Sequence, residues 1–430
     1  MDTYSRARTN DRKKRERGKR KRRLLWINMA MLLCIAVFVA LIWQSQRSAE
    51  PSGAKTANPP SQESAPSPSN DGGAAATGTA SAMPTEGNDS GSADDGSAAG
   101  GETNAEGAGN AENGTVTLAF VGDILPAARV LDYMNQFGYD YPFEGSKDQL
   151  LAADIAAGNL ETAITSRGTP EDNKEYVYRG PKEALQPIKD AGFDFLSLAN
   201  NHSMDYGWEG LSDTMDALDD IDIEHAGSGN DDKEAFTPAY IERNGVTVGF
   251  VSLTRVIPFS KNVWKADKLN PGLAETYTTE RAVAAIKEAK SHADIVVVMV
   301  HWGEERSDTP NKFQKSLAYA YVDAGADLVI GSHPHVLQGF ESYKGKWIAY
   351  SLGNFVFPGM SPPTTAETGI LTATCKAGGD CSLKFSPMIA KLARPAPMDE
   401  PTGKALLARL SRISFASSVK EDGTIVASNP

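Results

Sequence analysis

The stretch that most constrains the fold is Asp327-Leu-Val-Ile-Gly-Ser-His-Pro-His335, a short apolar run that ends in a turn and two histidines. A short apolar run bounded by a turn signal is typical of a buried strand. The strand would deliver His333 and His335 into a loop, where alternate side chains can point at one site. Because imidazole is the commonest metal ligand and an acid or base near neutral pH, the stretch predicts chemistry at a strand end.

Two further histidines lie in the same position relative to an apolar run. Of the six histidines in the chain, His202 follows Phe195–Ala199 and His301 follows Ile295–Val300. Histidines placed at random would not favour strand ends this strongly. The alternative is a set of hydrogen-bonded loop histidines without chemistry.

Charge is distributed unevenly along the chain. Residues 1–23 hold 12 Lys and Arg and three acids, so residues 24–430 carry a net charge of about −21 with histidine neutral. An acidic body repels polyanions, which argues against nucleic acid as a partner. A metal ion or a local cationic group can still bring an anionic substrate to one site.

Residues 24–44 predict a transmembrane anchor. Leu24 to Trp43 is almost wholly apolar, and about 20 helical residues span the roughly 30 Å of a bilayer core. The basic residues 1–23 predict a cytoplasmic N-terminal tail and place the rest outside the cell membrane. A cleaved signal peptide is the alternative, but the apolar core is long and no small-residue cleavage site follows it.

Residues 45–114 predict a disordered linker. They are rich in Ser, Ala, Gly and Pro and contain almost no large apolar residue, so they cannot bury enough surface to offset the entropy of ordering. A flexible coil of about 70 residues has a root-mean-square span of roughly 45 Å. The folded domain, over residues 115–430, would therefore be held away from the membrane.

Within this domain, predicted strands and helices alternate in the middle, whereas hairpins cluster later. Asn244-Gly245 and Lys344-Gly345 mark two hairpin turns. The mixture predicts an α/β domain with mixed sheets, for which two sheets packed face to face with helices outside is one arrangement. Cys375 and Cys381 flank Lys-Ala-Gly-Gly-Asp, a spacing that fits a disulfide across a hairpin turn, with two free thiols as the alternative.

Polar residues collect at the predicted strand ends. In α/β sheets, ligands commonly bind in the crevice at the carboxyl ends of the strands. Carboxylates, an amide oxygen and imidazoles together suit Mn, Fe or Zn better than Mg or Ca. Two such ions, about 4 Å apart, can share a bridging carboxylate in a phosphoryl transfer. The candidates are Asp123, Asn159, Glu161, Asn200, Asn201, His202, His301, Glu304, His333, His335 and Asn354.

Six motifs follow one another along the chain: Gly122-Asp123, Asn159-Leu-Glu161, Ala199-Asn-Asn-His202, His301-Trp-Gly303, Gly331-Ser-His-Pro-His335 and Ser351-Leu-Gly-Asn-Phe355. In this order they resemble the capsule-synthesis protein CapA family of poly-γ-glutamate biosynthesis, which is related to the calcineurin-like metallophosphoesterases. The resemblance spans roughly residues 116 to 360. It implies a four-layer α/β/β/α sandwich of two mixed sheets. It also implies an outward-facing accessory protein whose partners are membrane subunits of a polyglutamate synthetase or exporter, and a nascent anionic polymer or phosphoester.

The resemblance also implies a role for each matched residue. Glu161 stands where the phosphoesterases have a bridging carboxylate, and His202 matches their leaving-group acid. The implied metal ligands are Asp123, Glu161, Asn201, His301, His333 and His335, for one or two divalent ions. One departure is Leu125, because the phosphoesterase Asp-x-His is Asp123-Ile-Leu125 here. One imidazole is therefore missing, and a single metal or a site that binds without catalysis stays open.

Four residues are substrate-binding candidates, each with a simpler alternative. Arg179 can bind a carboxylate or phosphate bidentately, or form a surface ion pair. Glu304 is a candidate for the site or a solvated loop acid, and Asn354 for the site or for fixing a turn. Asn200 completes the set.

Two functions follow as hypotheses. The first is a membrane-anchored extracytoplasmic accessory of capsule or polyglutamate synthesis or export, with a metallophosphatase-like site that either catalyses or only binds. The alternative is an extracellular metal-dependent phosphoesterase or polymer hydrolase unrelated to polyglutamate.

Overall fold

The structure, a computed structural model, describes residues 114–172, 174–258 and 262–428. The predicted tail, residues 1–23, and the predicted anchor, residues 24–44, lie outside the described residues, as does the predicted linker apart from Gly114. Among the helices that the structure describes, none is both long and apolar enough to cross a membrane.

Strands make up most of the described domain and are numbered in chain order. They are β1 (Thr115–Ile124), β2 (Ile155–Leu160), β3 (Ala163–Ile164), β4 (Arg179–Gly180), β5 (Phe193–Ser197), β6 (Glu224–Ala226), β7 (Ser228–Gly229), β8 (Ala239–Arg243), β9 (Val246–Thr254), β10 (Gly272–Leu273), β11 (Ile295–His301), β12 (Leu328–Ser332), β13 (Phe340–Tyr343), β14 (Lys346–Ala349), β15 (Asn354–Val356), β16 (Glu367–Lys376), β17 (Cys381–Lys391), β18 (Arg394–Pro397), β19 (Ser417–Val419) and β20 (Thr424–Ala427).

Helices connect many of these strands. The longer α-helices of the described residues are Ala128–Phe137, Gly207–Asp220, Glu280–His292, Lys312–Ala324 and Glu400–Ile413. The shorter α-helices are Lys147–Leu151, Leu185–Asp190 and Asp232–Ala235, and the 3₁₀ turns are Tyr141–Phe143, Lys182–Ala184, Asn262–Trp264 and Pro363–Ala366.

The strands form two large sheets, both of them mixed. One has the order β19-β20-β17-β16-β1-β2-β5-β6, with β15 paired to β1 and β18 paired to β17. The other has the order β13-β14-β12-β11-β9-β8. In the larger sheet β1, β2, β5 and β6 are parallel and form one end, and the strands beyond β1 are antiparallel. In the smaller sheet the parallel strands lie at the centre, with an antiparallel hairpin on each side. The predicted α/β class with mixed sheets is therefore confirmed.

The two sheets pack face to face and helices cover their outer faces. Leu118 and Phe120 of β1 share one buried cluster with Val297 of β11, and the Phe195 ring stacks on the Phe250 ring at 4.3 Å between centroids. The outer face of the larger sheet packs on the helices that begin at residues 128, 185 and 207, and the outer face of the smaller sheet on those that begin at 280 and 312. The described domain therefore has a helix, sheet, sheet, helix order of layers.

The stretch from Asp327 to His335 contains β12, which is buried and parallel to β11. Asp327 fixes its start, because its carboxylate accepts from the Val296 amide at 2.9 Å and pairs with Lys290 and Lys346 at 2.9 and 2.7 Å. Gly331 is required near its end, because a Cβ there would lie 2.0 Å from the Tyr350 carbonyl oxygen. The start of the strand is thus fixed by a hydrogen bond and two ion pairs, and its end by close packing.

The disulfide suggested by the cysteine spacing is present. Cys375 and Cys381 are direct partners across the β16–β17 hairpin, and their sulfurs are bonded. The bridge closes the hairpin whose turn lies near Asp327.

We predict that Phe195→Ala lowers the free energy of unfolding by about 3–5 kcal/mol, because it removes the ring that fills the space between the two sheets. Urea unfolding of the purified protein measures the loss. The matched control is Phe137→Ala, whose side chain is 48% exposed and should cost much less. Equal losses for the two variants would contradict this account of the core.

Candidate metal centre

Strand ends from both sheets meet at one place in the described domain. Asp123 near the end of β1 is in register with Asn159 of β2 and with Asn354 of β15, and His301 ends β11 in register with Ser332 of β12. Glu161 directly follows β2, and the two closing histidines directly follow β12. Parallel strands deliver the side chains at their carboxyl ends to a common edge, as the sequence predicted.

Five of the predicted ligands form two overlapping donor groups. Glu161, His301 and His333 make one, and Asp123, Glu161 and His335 make the other. Within each group the ligand atoms lie within 4.8 Å of one another, and all five side chains are buried. Glu161 belongs to both groups, which is the position of a carboxylate shared between two neighbouring ions.

Glu161, the residue common to both donor groups, has a fully buried carboxylate. Both of its carboxylate oxygens are buried without a hydrogen-bond partner among the described residues. The nearest imidazole nitrogens are His301 Nε2 at 3.6 Å and His335 Nε2 at 4.0 Å from Oε1. Burial and the charge of Asp123 raise the pKa of Glu161 well above its usual range. A buried carboxylate without partners is costly, and a divalent cation would supply what the surrounding residues do not.

His301 and His333 are held in the neutral form that binds metals. Burial lowers the pKa of His301 well below its ordinary value, and burial together with the charge of His335 lowers the pKa of His333 to about 3. His301 Nε2 lies 2.8 Å from the Asn201 amide oxygen, so Asn201 reaches the first donor group. Nδ1 of His333 has no partner within the described chain. The donor set fits a divalent metal.

His335 is oriented by two neighbours. Its Nδ1 lies 2.8 Å from the Asn354 amide oxygen and 3.3 Å from Asp123 Oδ2. Burial alone would lower the pKa of His335, but the hydrogen bond and charge of Asp123, with the contribution of Asn354, raise it overall. Asn354 in turn donates to the Thr365 carbonyl at 3.1 Å. Asn354 therefore positions a ligand and also holds the following loop.

The backbone of the His-Pro-His loop is strained. His333 has φ of 96° and His335 has φ of 57°, a region that residues other than glycine rarely adopt. Such conformations cost about 1–3 kcal/mol each and persist where the surroundings enforce them. These backbone conformations point the rings of His333 and His335 towards the donor groups from a segment of three residues.

His202 lies beside the donor groups in a hydrogen-bonded pocket. Its Nδ1 is 2.7 Å from Asp205 Oδ2, and its ring lies 4.6 Å from the Tyr178 ring. Burial lowers the pKa of His202, although Asp205 opposes the shift. With Nδ1 occupied, Nε2 is the nitrogen left for proton transfer.

Asn200 holds this loop and has no capacity left for a ligand. Its amide nitrogen donates to Asn159 Oδ1 at 3.0 Å and to the Leu160 carbonyl at 2.8 Å, and its oxygen accepts from the His202 amide and the Ser203 hydroxyl. All four hydrogen-bonding positions of the amide are used within the protein. The structure thus gives Asn200 a positioning role.

Two residues beside the centre, Lys174 and Asp205, were not among the candidates predicted from the sequence. Lys174 is largely buried and donates to Asp205 and to the Asn201 carbonyl. Burial lowers the pKa of Lys174 against the opposing effect of Asp205. Asn159, one of the strand-end candidates, donates to Asp123 Oδ1 at 2.9 Å. Asp205 stands three residues after His202, which is a usable signal, whereas nothing local in the sequence marks Lys174.

Arg179 and Glu304 lie outside the two donor groups. The Arg179 guanidinium lies 4.8 Å from the Tyr206 ring centroid and lines a separate cavity of about 560 Å³. Glu304 is exposed and accepts from Asn311 at 3.4 Å. Leu125, at the departure from the phosphoesterase motif, is buried against Ala127 and Phe357. An apolar cluster therefore occupies the place of the missing imidazole.

We predict that Glu161→Gln abolishes stabilisation by metal without destabilising the metal-free protein. Saturating Mn should raise the melting temperature of the wild type by about 5 °C or more, since ligands that bind only the folded state stabilise it. The variant removes the buried charge and the shared ligand. Glu304→Gln, an exposed change, is the matched control, and a full Mn shift in Glu161→Gln would contradict the assignment.

A second prediction concerns pH in the presence of a chelator. Because the pKa of Glu161 is raised on folding, the folded state holds a proton that the unfolded state loses above about pH 4.3. The free energy of unfolding of the metal-free protein should therefore fall as pH rises from that value towards the raised pKa. Urea unfolding across this range should show a smaller fall for Glu161→Gln, and parallel curves for the two proteins would argue against the shift.

Comparison with known proteins agrees with the motif order. Residues 117–359 match the profile of the family described as "Bacterial capsule synthesis protein PGA_cap". The "PGA biosynthesis protein CapA" of Bacillus subtilis (strain 168) is 37% identical over 316 residues, which cover 72% of this chain and 81% of that protein. The "Capsule biosynthesis protein CapA" of Bacillus anthracis is 34% identical over 296 residues, which cover 67% of this chain and 71% of that protein.

A more distant relative bears a related name. A "Probable polyglutamine synthesis accessory protein" of Mycobacterium tuberculosis is 28% identical over 281 residues, which cover 61% of this chain and 73% of that protein. The resemblance predicted from the six motifs is confirmed. The chain belongs to the PGA_cap family of bacterial capsule synthesis proteins, the CapA family of poly-γ-glutamate synthesis.

Proposed function

We propose that this protein is an accessory of polyglutamate capsule synthesis or export whose extracytoplasmic domain carries a metallophosphoesterase-like centre. The observation that carries the proposal is the buried Glu161 carboxylate, shared by two donor groups and without a hydrogen-bond partner among the described residues. The names of the relatives support a place beside the synthesis machinery.

The centre would hold one or two ions of Mn, Fe or Zn, because its donors combine imidazoles with carboxylates and an amide oxygen. When bound, such ions polarise an ester oxygen and lower the pKa of an attacking water. The residues that would hold them are Asp123, Glu161, Asn201, His301, His333 and His335.

The proton for the leaving group would come from His202. Asp205 Oδ2 lies 2.7 Å from Nδ1 and favours the charged imidazolium, in which Nε2 carries the proton that would be donated. Tyr178 and Lys174 enclose the same ring, and this enclosure limits the access of water to it. Proton transfer at His202 Nε2 would complete cleavage of a phosphoester.

The proposed location is the outer side of the cell membrane. The apolar residues 24–44 and the basic residues 1–23 support an anchor with a cytoplasmic N-terminus. The disulfide between Cys375 and Cys381 supports an oxidising compartment for the domain. Membrane subunits of a polyglutamate synthetase or exporter, and the nascent polymer, are the proposed partners.

One observation favours a second candidate, a centre that binds metal without turning over a phosphoester. Leu125 is buried in an apolar cluster where the phosphoesterase motif has a histidine. The second donor group therefore has one imidazole fewer than that motif implies. A hydrolase unrelated to polyglutamate remains the third outcome to be separated by experiment.

The proposal is tested by metal content together with a phosphodiesterase assay under added Mn. The wild type should contain one or two ions per chain, and His333→Ala combined with His335→Ala should lose them. A matched double variant, His225→Ala with His292→Ala, removes two histidines outside the donor groups and should retain the metal. Metal with turnover supports the catalytic form and metal without turnover the binding form. The centre would be overturned if the wild type contained no metal, or if both double variants retained it.

A further inference from the structure

Three cations and two aromatic rings form a row beside the candidate metal centre, here called the cation–aromatic row. Lys265 Nζ lies 4.6 Å from the centroid of the Tyr277 ring, and the Arg255 guanidinium lies 5.1 Å from the same ring. The Arg255 guanidinium also lies 4.3 Å from the Phe313 ring, and Lys312 Nζ lies 5.1 Å from that ring. Cations and rings therefore alternate along the row.

The cations of this row have no acidic partner within the part of the chain that the structure describes. Arg255 uses one guanidinium nitrogen on the Thr276 carbonyl at 3.0 Å and is otherwise packed between the two rings. Glu275, which directly precedes Thr276, is paired with Arg281 at 2.8 Å. Like charges that share one ring repel each other, and a bound anion relieves that repulsion.

The surroundings of the row make it a local feature in an acidic domain. The loop that precedes the helix Lys312–Ala324 carries Glu304, Glu305 and Asp308 together with Arg306. Net charge therefore does not attract a polyanion to this part of the domain. Recognition must come from the row itself.

The two rings add an apolar component. The side chain of Tyr277 is 41% exposed and that of Phe313 is 45% exposed, although both are large. Exposed rings next to cations suit a ligand whose charged groups are carried on short methylene stems. A chain of carboxylates on such stems matches this alternation of charge and apolar surface.

The middle of the row adjoins a backbone segment of the metal centre. Arg255 directly follows β9, and its backbone amide donates to the carbonyl oxygen of His301 at 2.9 Å. His301 belongs to one of the two donor groups. A linear ligand held on the row would therefore pass the strand that ends in His301.

We propose that the cation–aromatic row binds an anionic polymer with carboxylates on methylene stems, of which polyglutamate is an example. The inference rests on the proposed function only in taking this polymer as the ligand. It needs neither a bound metal nor catalysis. It assigns the polymer contact to Arg255, Lys265, Lys312, Tyr277 and Phe313.

The test is fluorescence anisotropy of labelled poly-γ-glutamate of defined length, with the full-length protein in a neutral detergent and with a chelator. All proteins carry Gln in place of the Lys and Arg of residues 1–23, because that basic tail would bind any polyanion. Arg255→Ala, Lys265→Ala and Lys312→Ala are combined in one variant. We expect its affinity for the polymer to fall by about tenfold or more, and its salt dependence to weaken.

The matched control combines Lys182→Ala, Lys344→Ala and Lys404→Ala. It removes the same charge from three exposed lysines that are already paired with acids. Its affinity should stay within about twofold of the starting protein, since only non-specific attraction changes. Equal losses in the two triple variants, or no loss in the first, would overturn the proposal. Stronger competition by polyphosphate than by unlabelled poly-γ-glutamate would overturn the assigned ligand class.

Failure of this inference is distinguishable from failure of the proposed function. The metal content of the wild type, measured without a chelator, tests the centre, and the contrast between the two triple variants, measured with a chelator, tests the row. Absence of metal from the wild type in the metal-content test, together with the contrast between the triple variants, would retain the row and refute the centre. A metal-loaded protein without that contrast would refute the row alone.

Discussion

The arrangement of the candidate metal centre depends on the free-energy cost of burying the Glu161 carboxylate away from water. The side chain is fully buried next to Asp123, and neither oxygen has a hydrogen-bond partner among the described residues. A charge in that state is unfavourable by itself. Three imidazoles surround it, and the backbone of His333 and His335 is strained to bring two of them there. The surrounding fold supports a site whose local energy improves when a cation is bound.

Other side chains of the centre act mainly by holding those ligands. Asn200 ties the loop after β5 to β2 through its amide nitrogen, and Asn354 joins His335 to the loop that ends at Thr365. Lys174 and Asp205 perform the same task around His202. Ligands that come from two sheets are therefore fixed by hydrogen bonds that cross between separate segments of the chain.

The sequence was informative wherever strand ends carried histidines, because a short apolar run already determines where the next side chain emerges. The proximity of Asp123, Glu161, His301, His333 and His335 could be predicted from their places at strand ends. The sequence was uninformative where tertiary packing determines which residues lie next to each other. Lys174 reaches the centre from a loop without local pattern, Arg179 stacks on Tyr206 instead, and the cation–aromatic row joins residues from separate segments whose adjacency no spacing reveals.

The most direct test of the centre is anomalous diffraction from crystals grown with Mn, with data collected on both sides of the Mn absorption edge. The account predicts an anomalous peak within coordination distance of Glu161, in one or both donor groups that share this carboxylate. Crystals in which the Mn peaks lie only at surface carboxylates, with none beside Glu161, would contradict it.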